Sequence, residues 1–242
     1  MSTEWLQRGF AAREEGDDAA AEEAFRRARA EGEADADFYL GDFLVQTARA
    51  EEAEPLLRGV VDGGDADGHV PLGHALADLG RPEEAADQFR AAAEAGQTNA
   101  LVDLGVLQLD DLKDPETAEA TLREAIEKGA DDGALALGAL LVDLDRDEEA
   151  EAVLRTAMED GSLDAQIDLA NLLSEYEEGE REAEALYLDA IERGDLDAEN
   201  NLGVLLRDLG RTDEALALLQ RAADRGDELA AENLAELKAE LN

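Results

Sequence analysis

Apolar and small residues recur along the chain at a nearly constant period. In the short pattern Leu-Gly-x-Leu-Leu, the glycine returns every 32 or 33 residues, and an alanine occupies one of its seven positions. Self-similarity at such a period indicates a repeat architecture. We call these seven residues the anchors, and they are Gly9, Gly41, Gly73, Gly105, Gly138, Ala170 and Gly203.

Each repeat carries a second pattern that has helical spacing. In the third repeat, for example, Ala85 is followed after four residues by Phe89 and after three more by Ala92. Spacings of four and three place these side chains on one helical face. The glycine that follows four residues later, Gly96 in this repeat, suits a left-handed residue after a helix end. Each repeat therefore predicts a helix A, a turn, a helix B and a glycine-marked turn.

These hairpins define the expected fold and domain organisation. One helical hairpin has too little apolar surface to fold alone, so neighbouring hairpins bury it by stacking. We expect an all-α solenoid of seven helix–turn–helix repeats and a C-terminal capping helix, forming a single repeat domain over residues 1–242. The predicted repeats are approximately 1–32, 33–64, 65–96, 97–129, 130–161, 162–194 and 195–226, and the cap is 227–242.

Charge and composition exclude several classes of protein. The chain has 63 Asp and Glu against 21 Lys and Arg, a formal net charge of −42. Such a surface repels phosphate backbones, so we expect no nucleic-acid partner. The chain has no cysteine, which excludes disulfide and thiolate chemistry. An apolar run long enough for a membrane span is absent, and the N-terminal segment does not resemble a secretory signal. The expected compartment is the cytoplasm.

No group of residues predicts catalysis, a cofactor or a metal site. His69 and His74 are five positions apart, roughly 140° around a helix, and do not converge on one ion. The segment Asp62–Gly68 fits a calcium loop poorly, because the twelfth position, which needs a glutamate, is a histidine. Carboxylates are too abundant to mark a site. We therefore expect a protein that is not an enzyme.

The repeat pattern resembles the tetratricopeptide-repeat (TPR) superfamily. Trp5 lies at the tryptophan position of the family pattern, Leu-Gly recurs in five repeats, and Ala-x₃-large recurs in every helix B. The period is slightly shorter than the family's, and the ending "RAADRGDELA" is similar to Sel-one-like repeats. The resemblance implies a right-handed superhelix whose A helices line a concave groove that binds other proteins.

The implied geometry places positions −3, +1, +4 and +5 from each anchor in the groove. Six of the seven +5 residues are acidic, and we call them the carboxylate ladder: Glu14, Asp78, Asp110, Asp143, Glu175 and Asp208. An apolar stripe runs beside it through Val102, Val106, Leu109, Leu135 and Val142. The residues expected to contact a partner are Phe38, Val70, His74, Asp78, Val102, Val106, Leu109, Asp110, Leu135, Val142, Asp143, Ile167, Asn171, Glu175, Asn200, Arg207 and Asp208.

The functional hypothesis is a non-catalytic scaffold that binds a basic, amphipathic peptide or helix. Capture of a C-terminal carboxylate is not expected, because acids stand where that mode needs lysines and Asn171 alone matches it. Three alternatives remain open. The chain could be a self-associating structural solenoid or a regulatory subunit of an enzyme complex. The ladder could also be ordinary solvated surface, with position −3 partly buried between repeats.

Overall fold

The computed structural model describes residues 4–195 and 197–241 and contains, in these ranges, fifteen α-helices, one 3₁₀ turn at Ala66–Gly68 and no β-strand. The helices alternate between the two predicted types. The A helices are α1 Glu4–Glu14, α3 Ala36–Gln46, α5 His69–Asp78, α7 Ala100–Asp110, α9 Gly133–Asp143, α11 Leu163–Ser174, α13 Asp197–Asp208 and α15 Glu228–Glu240. The B helices are α2 Asp18–Ala30, α4 Ala50–Asp62, α6 Pro82–Glu94, α8 Pro115–Glu127, α10 Asp147–Glu159, α12 Glu180–Glu192 and α14 Thr212–Asp224.

Backbone conformation explains where the helices end. All seven glycines that follow the B helices have φ between 69° and 104°, which confirms the predicted left-handed position. In six repeats the turn between helices A and B also contains a left-handed residue, such as Gly80 in the third repeat and Ala48 in the second, whereas the turn between α11 and α12 contains none. Pro82 and Pro115 occupy the first positions of α6 and α8, where a proline removes no helical hydrogen bond.

The anchor glycines set how closely helix A approaches helix B within a hairpin. A Cβ atom added to Gly73 would lie 2.6 Å from the ring of Phe89. At Gly105 it would lie 2.6 Å from Leu122. Real Cβ atoms do not approach other atoms so closely, so an unsubstituted Cα is needed at these helix crossings.

The chain forms two compact units, which meet in sequence between Gly133 and Ala134. In unit 1, each A helix packs on the B helix of its own hairpin, and each of α2, α4 and α6 packs on the next A helix. In unit 2, helices α10 to α15 pack on their sequence neighbours in the same way. The centres of the hairpins are side chains from the B helices, which are fully buried or nearly so: Phe25, Leu57, Phe89, Leu154, Tyr187 and Leu219.

Candidate functional site

Carboxylates near the B helices are neutralised by arginines that link neighbouring hairpins. Arg81, in the turn before α6, lies 2.7 Å from Glu54 of α4 and 2.7 Å from Glu84 of its own helix. Arg211 lies 2.6 Å from Glu184 and 2.7 Å from Glu214 in the same arrangement. Hydrogen bonds from Arg58 and then Arg81 hold the pKa of Glu54 below its usual range. These carboxylates therefore take part in ion pairs within the fold.

The carboxylate ladder on the A helices lacks such partners. In unit 1, Glu14, Asp78 and Asp110 are exposed, and none of them forms an ion pair with another described residue. In unit 2, Asp143 and Glu175 are exposed and have no cationic partner among the residues that the structure describes. These five ladder carboxylates therefore have no ion-pair partner among the described residues.

The ladder has one exception at its C-terminal end. Asp208 accepts a hydrogen bond from its neighbour Arg207 at 2.9 Å. Because this carboxylate has its own cation, it contributes less net charge than the other ladder members. Arg207 was expected to contact a partner, and its half-buried side chain instead lies against Asp208.

In unit 1, the expected contact residues differ in how far they reach solvent. Val106 is 44 % exposed, a large value for an apolar side chain on a helix. His74 lies on α5 with its Nε2 atom 3.6 Å from Oδ1 of Asp103 on α7, and its ring meets Phe89 edge-on. The half-buried members of the expected set in this unit are Phe38, Val70, Val102 and Leu109.

In unit 2, α9 and α11 enclose a concavity of about 510 Å³, which we call the α9–α11 concavity. Its apolar surface comes from Gly138, Ala139, Val142, Leu154 and Leu172, and its polar surface from Asp143, Asp168, Asn171 and Glu175. Four of the residues predicted from sequence, Val142, Asp143, Asn171 and Glu175, line it together.

Asn171 is held in place by two hydrogen bonds on one side of this concavity. Its Oδ1 atom accepts from the hydroxyl of Tyr187 at 2.7 Å and from Nδ2 of Asn201 at 3.1 Å. Burial raises the pKa of Tyr187 to about 12, so its hydroxyl stays protonated and donates. The Asn171 amide therefore has a defined orientation.

The structure corrects one expected contact residue. Asn200 is only 4 % exposed. Its Oδ1 atom accepts a hydrogen bond of 2.8 Å from Asn233 of α15, and its own amide donates to Asn201. The side chain is therefore used in packing α13 against α15 and is not available to a partner. Leu135 and Ile167, which share its position −3 from the anchors, are half-buried.

Two carboxylates were missed by the sequence analysis. Asp103 and Asp168 both lie two residues before an anchor, a position that was not included in the expected groove set. Burial raises the pKa of each, and the negative charge of Asp164 adds to the effect at Asp168. The signal that could have found them is a carboxylate at a shared position in a half-buried part of helix A.

The described ranges contain neither a candidate metal site nor a candidate membrane span. No group of three or more histidine, cysteine or acidic side chains within residues 4–195 and 197–241 has the arrangement needed to hold a metal ion. No described helix combines the length and the apolar character that crossing a membrane requires.

Comparison with known proteins supports the resemblance found in the sequence. A family model described as tetratricopeptide repeat matches residues 70–134 and 176–230. No curated protein sequence is significantly similar to the chain.

Solved structures of low sequence identity share the fold. A tetratricopeptide repeat protein from Parabacteroides merdae is 16 % identical, with a TM-score of 0.63, over 97 % of this chain and 98 % of that one. Yeast Tom70 is 16 % identical, with a TM-score of 0.68, over 92 % of this chain and 60 % of that one. A Sel1 repeat protein from Oxalobacter formigenes is 22 % identical, with a TM-score of 0.56, over 81 % of this chain and 88 % of that one.

These similarities confirm the expected fold class, all-α with the helical hairpins of a TPR solenoid, while the count of seven repeats stays a prediction. Proteins of this family are generally non-catalytic scaffolds that bind other proteins or peptides. The family model, the helical hairpins and the shared fold together place this chain in the tetratricopeptide-repeat superfamily.

Proposed function

We propose that this chain is a non-catalytic scaffold that binds a basic, amphipathic peptide or helix on the faces of its A helices. The proposal treats residues 1–242 as one repeat domain. Its binding residues are the solvent-accessible members of the expected contact set, without Asn200.

One observation carries the proposal: arginines such as Arg81 and Arg211 pair with glutamates of the B helices, whereas five carboxylates at one shared position of the A helices have no ion-pair partner among the described residues. Arg81 and Arg211 each bridge two glutamates. Asp110 and Asp143 have no such partner among the described residues.

Apolar side chains next to these carboxylates supply the second part of the recognition. Val106 on α7 and Val142 on α9 are 44 % and 40 % exposed, one in each unit. In either unit, an apolar side chain of the partner would bury the valine, and a basic side chain beside it would lie near Asp110 in unit 1 or near Asp143 in unit 2. Charge then speeds the encounter, and burial of apolar surface supplies most of the affinity.

Two synthetic helical peptides with leucines at the same positions test the proposal. The basic peptide carries arginine and lysine at the remaining positions, and the acidic peptide carries glutamate there. Fluorescence anisotropy should show binding of the basic peptide only, with an affinity that falls as salt rises. Asp110→Lys and Asp143→Lys should each weaken binding by about tenfold, within the range for charge reversal at an interface.

Matched controls are Glu94→Lys on α6 and Glu159→Lys on α10, which make the same charge change at exposed B-helix positions. These variants should retain the affinity of the unmodified protein within about twofold. The proposal fails if neither peptide binds, or if the controls weaken binding as much as the A-helix variants do.

A further inference from the structure

The α9–α11 concavity in unit 2 defines a narrower ligand chemistry than the whole face does. We propose that it is a subsite for one arginine or lysine side chain of the bound segment, with Asp168 as the specificity-determining carboxylate. This inference rests on the proposed function, because it identifies the type of side chain in the bound segment that this part of the same surface recognises.

The shape and lining of the concavity suit a long side chain that is apolar along its stem and charged at its end. The apolar surface includes Val142, Leu154 and Leu172, and the volume is about 510 Å³. Arginine and lysine place their methylene groups against apolar surface while the charged group reaches polar atoms. Gly138 and Ala139 add no bulk, so the concavity stays open between the two A helices.

The charged residues around this apolar surface determine which charge the occupying side chain must carry. Asp143, Asp168 and Glu175 line the concavity, and none of the three carboxylates accepts a hydrogen bond or forms an ion pair within the described parts of the chain. Arg155, which follows the lining residue Leu154 on α10, is already paired with Glu151 and Glu182 at 2.6 Å each. The described residues therefore supply no cation to this site.

A neutral or acidic occupant fits this arrangement poorly. An apolar side chain that closed the concavity would bury Asp168 without a partner, which is unfavourable for a charged group. An acidic side chain would be repelled by all three carboxylates. A cation satisfies them, so discrimination comes from both attraction and the penalty on wrong occupants.

The ionised form of Asp168 is less favourable in the folded protein than in the unfolded chain. Burial and then the charge of Asp164 raise its pKa, so folding disfavours its ionised form. Replacing Asp168 by asparagine removes that penalty at neutral pH. Residues that reduce stability while serving function are a recurrent feature of binding sites.

Selection from a random peptide library tests the subsite, with the full chain and Asp168→Asn as baits. The unmodified protein should enrich peptides that carry arginine or lysine at one fixed position. Asp168→Asn should lose this enrichment and bind the selected arginine peptide at least about tenfold more weakly. Asp164→Asn is the matched control, because it removes an exposed charge from the same helix outside the concavity, and it should keep the enrichment.

A double-mutant cycle separates a direct contact from a general loss of charge. Replacing the selected arginine by citrulline, its neutral analogue, should weaken binding to the unmodified protein and have little further effect on Asp168→Asn. Thermal unfolding of Asp168→Asn at neutral pH should occur at a higher temperature than that of the unmodified protein, which shows that weaker binding is not a folding defect.

The outcomes distinguish the subsite from the broader proposal. If peptides are enriched without a fixed basic position, or if Asp168→Asn binds them as well as the unmodified protein does, the subsite is wrong and the scaffold proposal stands. If no peptide is enriched by either bait, both are wrong. Additive effects of citrulline and Asp168→Asn would also overturn the subsite.

Discussion

Substitution of Gly73 by alanine tests the role of the anchor glycines directly. The new Cβ atom would lie 2.6 Å from Cε1 and 2.9 Å from Cδ1 and Cζ of Phe89. Phe89 is 1 % exposed, and its ring also meets His74 edge-on with a centroid distance of 5.1 Å. To reach ordinary contact at about 3.5 Å or more, the ring or helix α5 must therefore move by about 1 Å in a packed core.

The expected magnitude follows from two opposing contributions to the free energy of unfolding. Alanine favours a helix over glycine by about 1 kcal/mol. Overpacking a buried site costs about 1–3 kcal/mol and sometimes more. Because the ring of Phe89 and helix α5 are both tightly packed, we place the overpacking cost at about 3 kcal/mol, the upper end of this range. Subtracting the helix-propensity gain of about 1 kcal/mol leaves an expected net loss of about 2 kcal/mol in the free energy of unfolding.

Urea unfolding followed by circular dichroism measures this loss, and Gly59→Ala provides the matched control. Gly59 is exposed in the last turn of α4, and no atom lies within 4 Å of the position of its added Cβ. Here only helix propensity acts, so the same substitution should increase stability by about 0.5–1 kcal/mol. If Gly73→Ala is also stabilising, the close approach at the anchor does not determine the packing and the reasoning is wrong.

Three further predictions concern stability. Gln108 is 3 % exposed, and its Oε1 atom has no hydrogen-bond donor among the described residues. Gln108→Leu should therefore raise the free energy of unfolding, measured in urea, by about 1–3 kcal/mol, and an unchanged value would contradict this. Burial raises the pKa of Asp103, so its ionisation destabilises the fold as pH rises; Asp103→Asn should raise the Tm near neutral pH, and the gain should vanish below about pH 3.5. Added NaCl should raise the Tm of the unmodified protein, because screening relieves repulsion in a chain of net charge −42 whose exposed ion pairs contribute little; a falling Tm would refute this.

Helix boundaries and hairpin packing were predictable because they depend on short-range rules. A left-handed residue after each helix B, such as Gly96, follows from backbone sterics at one position. The contact between Gly73 and Phe89 follows from the spacing of two helices joined by a short turn. The charge pairs between hairpins were not predicted, because Arg81 and Glu54 are 27 residues apart and meet only when α4 packs beside the next hairpin.

The candidate site was predictable only in part, for the same reason. The register of helix A identified Val142, Asp143, Asn171 and Glu175, but their arrangement around one concavity depends on how α9 and α11 lie together. Burial of Asn200 beside Asn233 was likewise outside the reach of periodicity, which assigns a face to a residue and not its neighbours.

The repeat, the helix ends and the acidic ladder could be read from the amino-acid sequence, because each arises from local spacing or residue type. Which carboxylates are paired with a cation depends on how the helices pack. Arg81 neutralises Glu54 through proximity across hairpins, whereas Asp168 is half-buried and has no cation within reach among the described residues. An ion pair requires its two charged groups to lie a few ångströms apart, and distances between residues far apart in sequence exist only once the helices have packed.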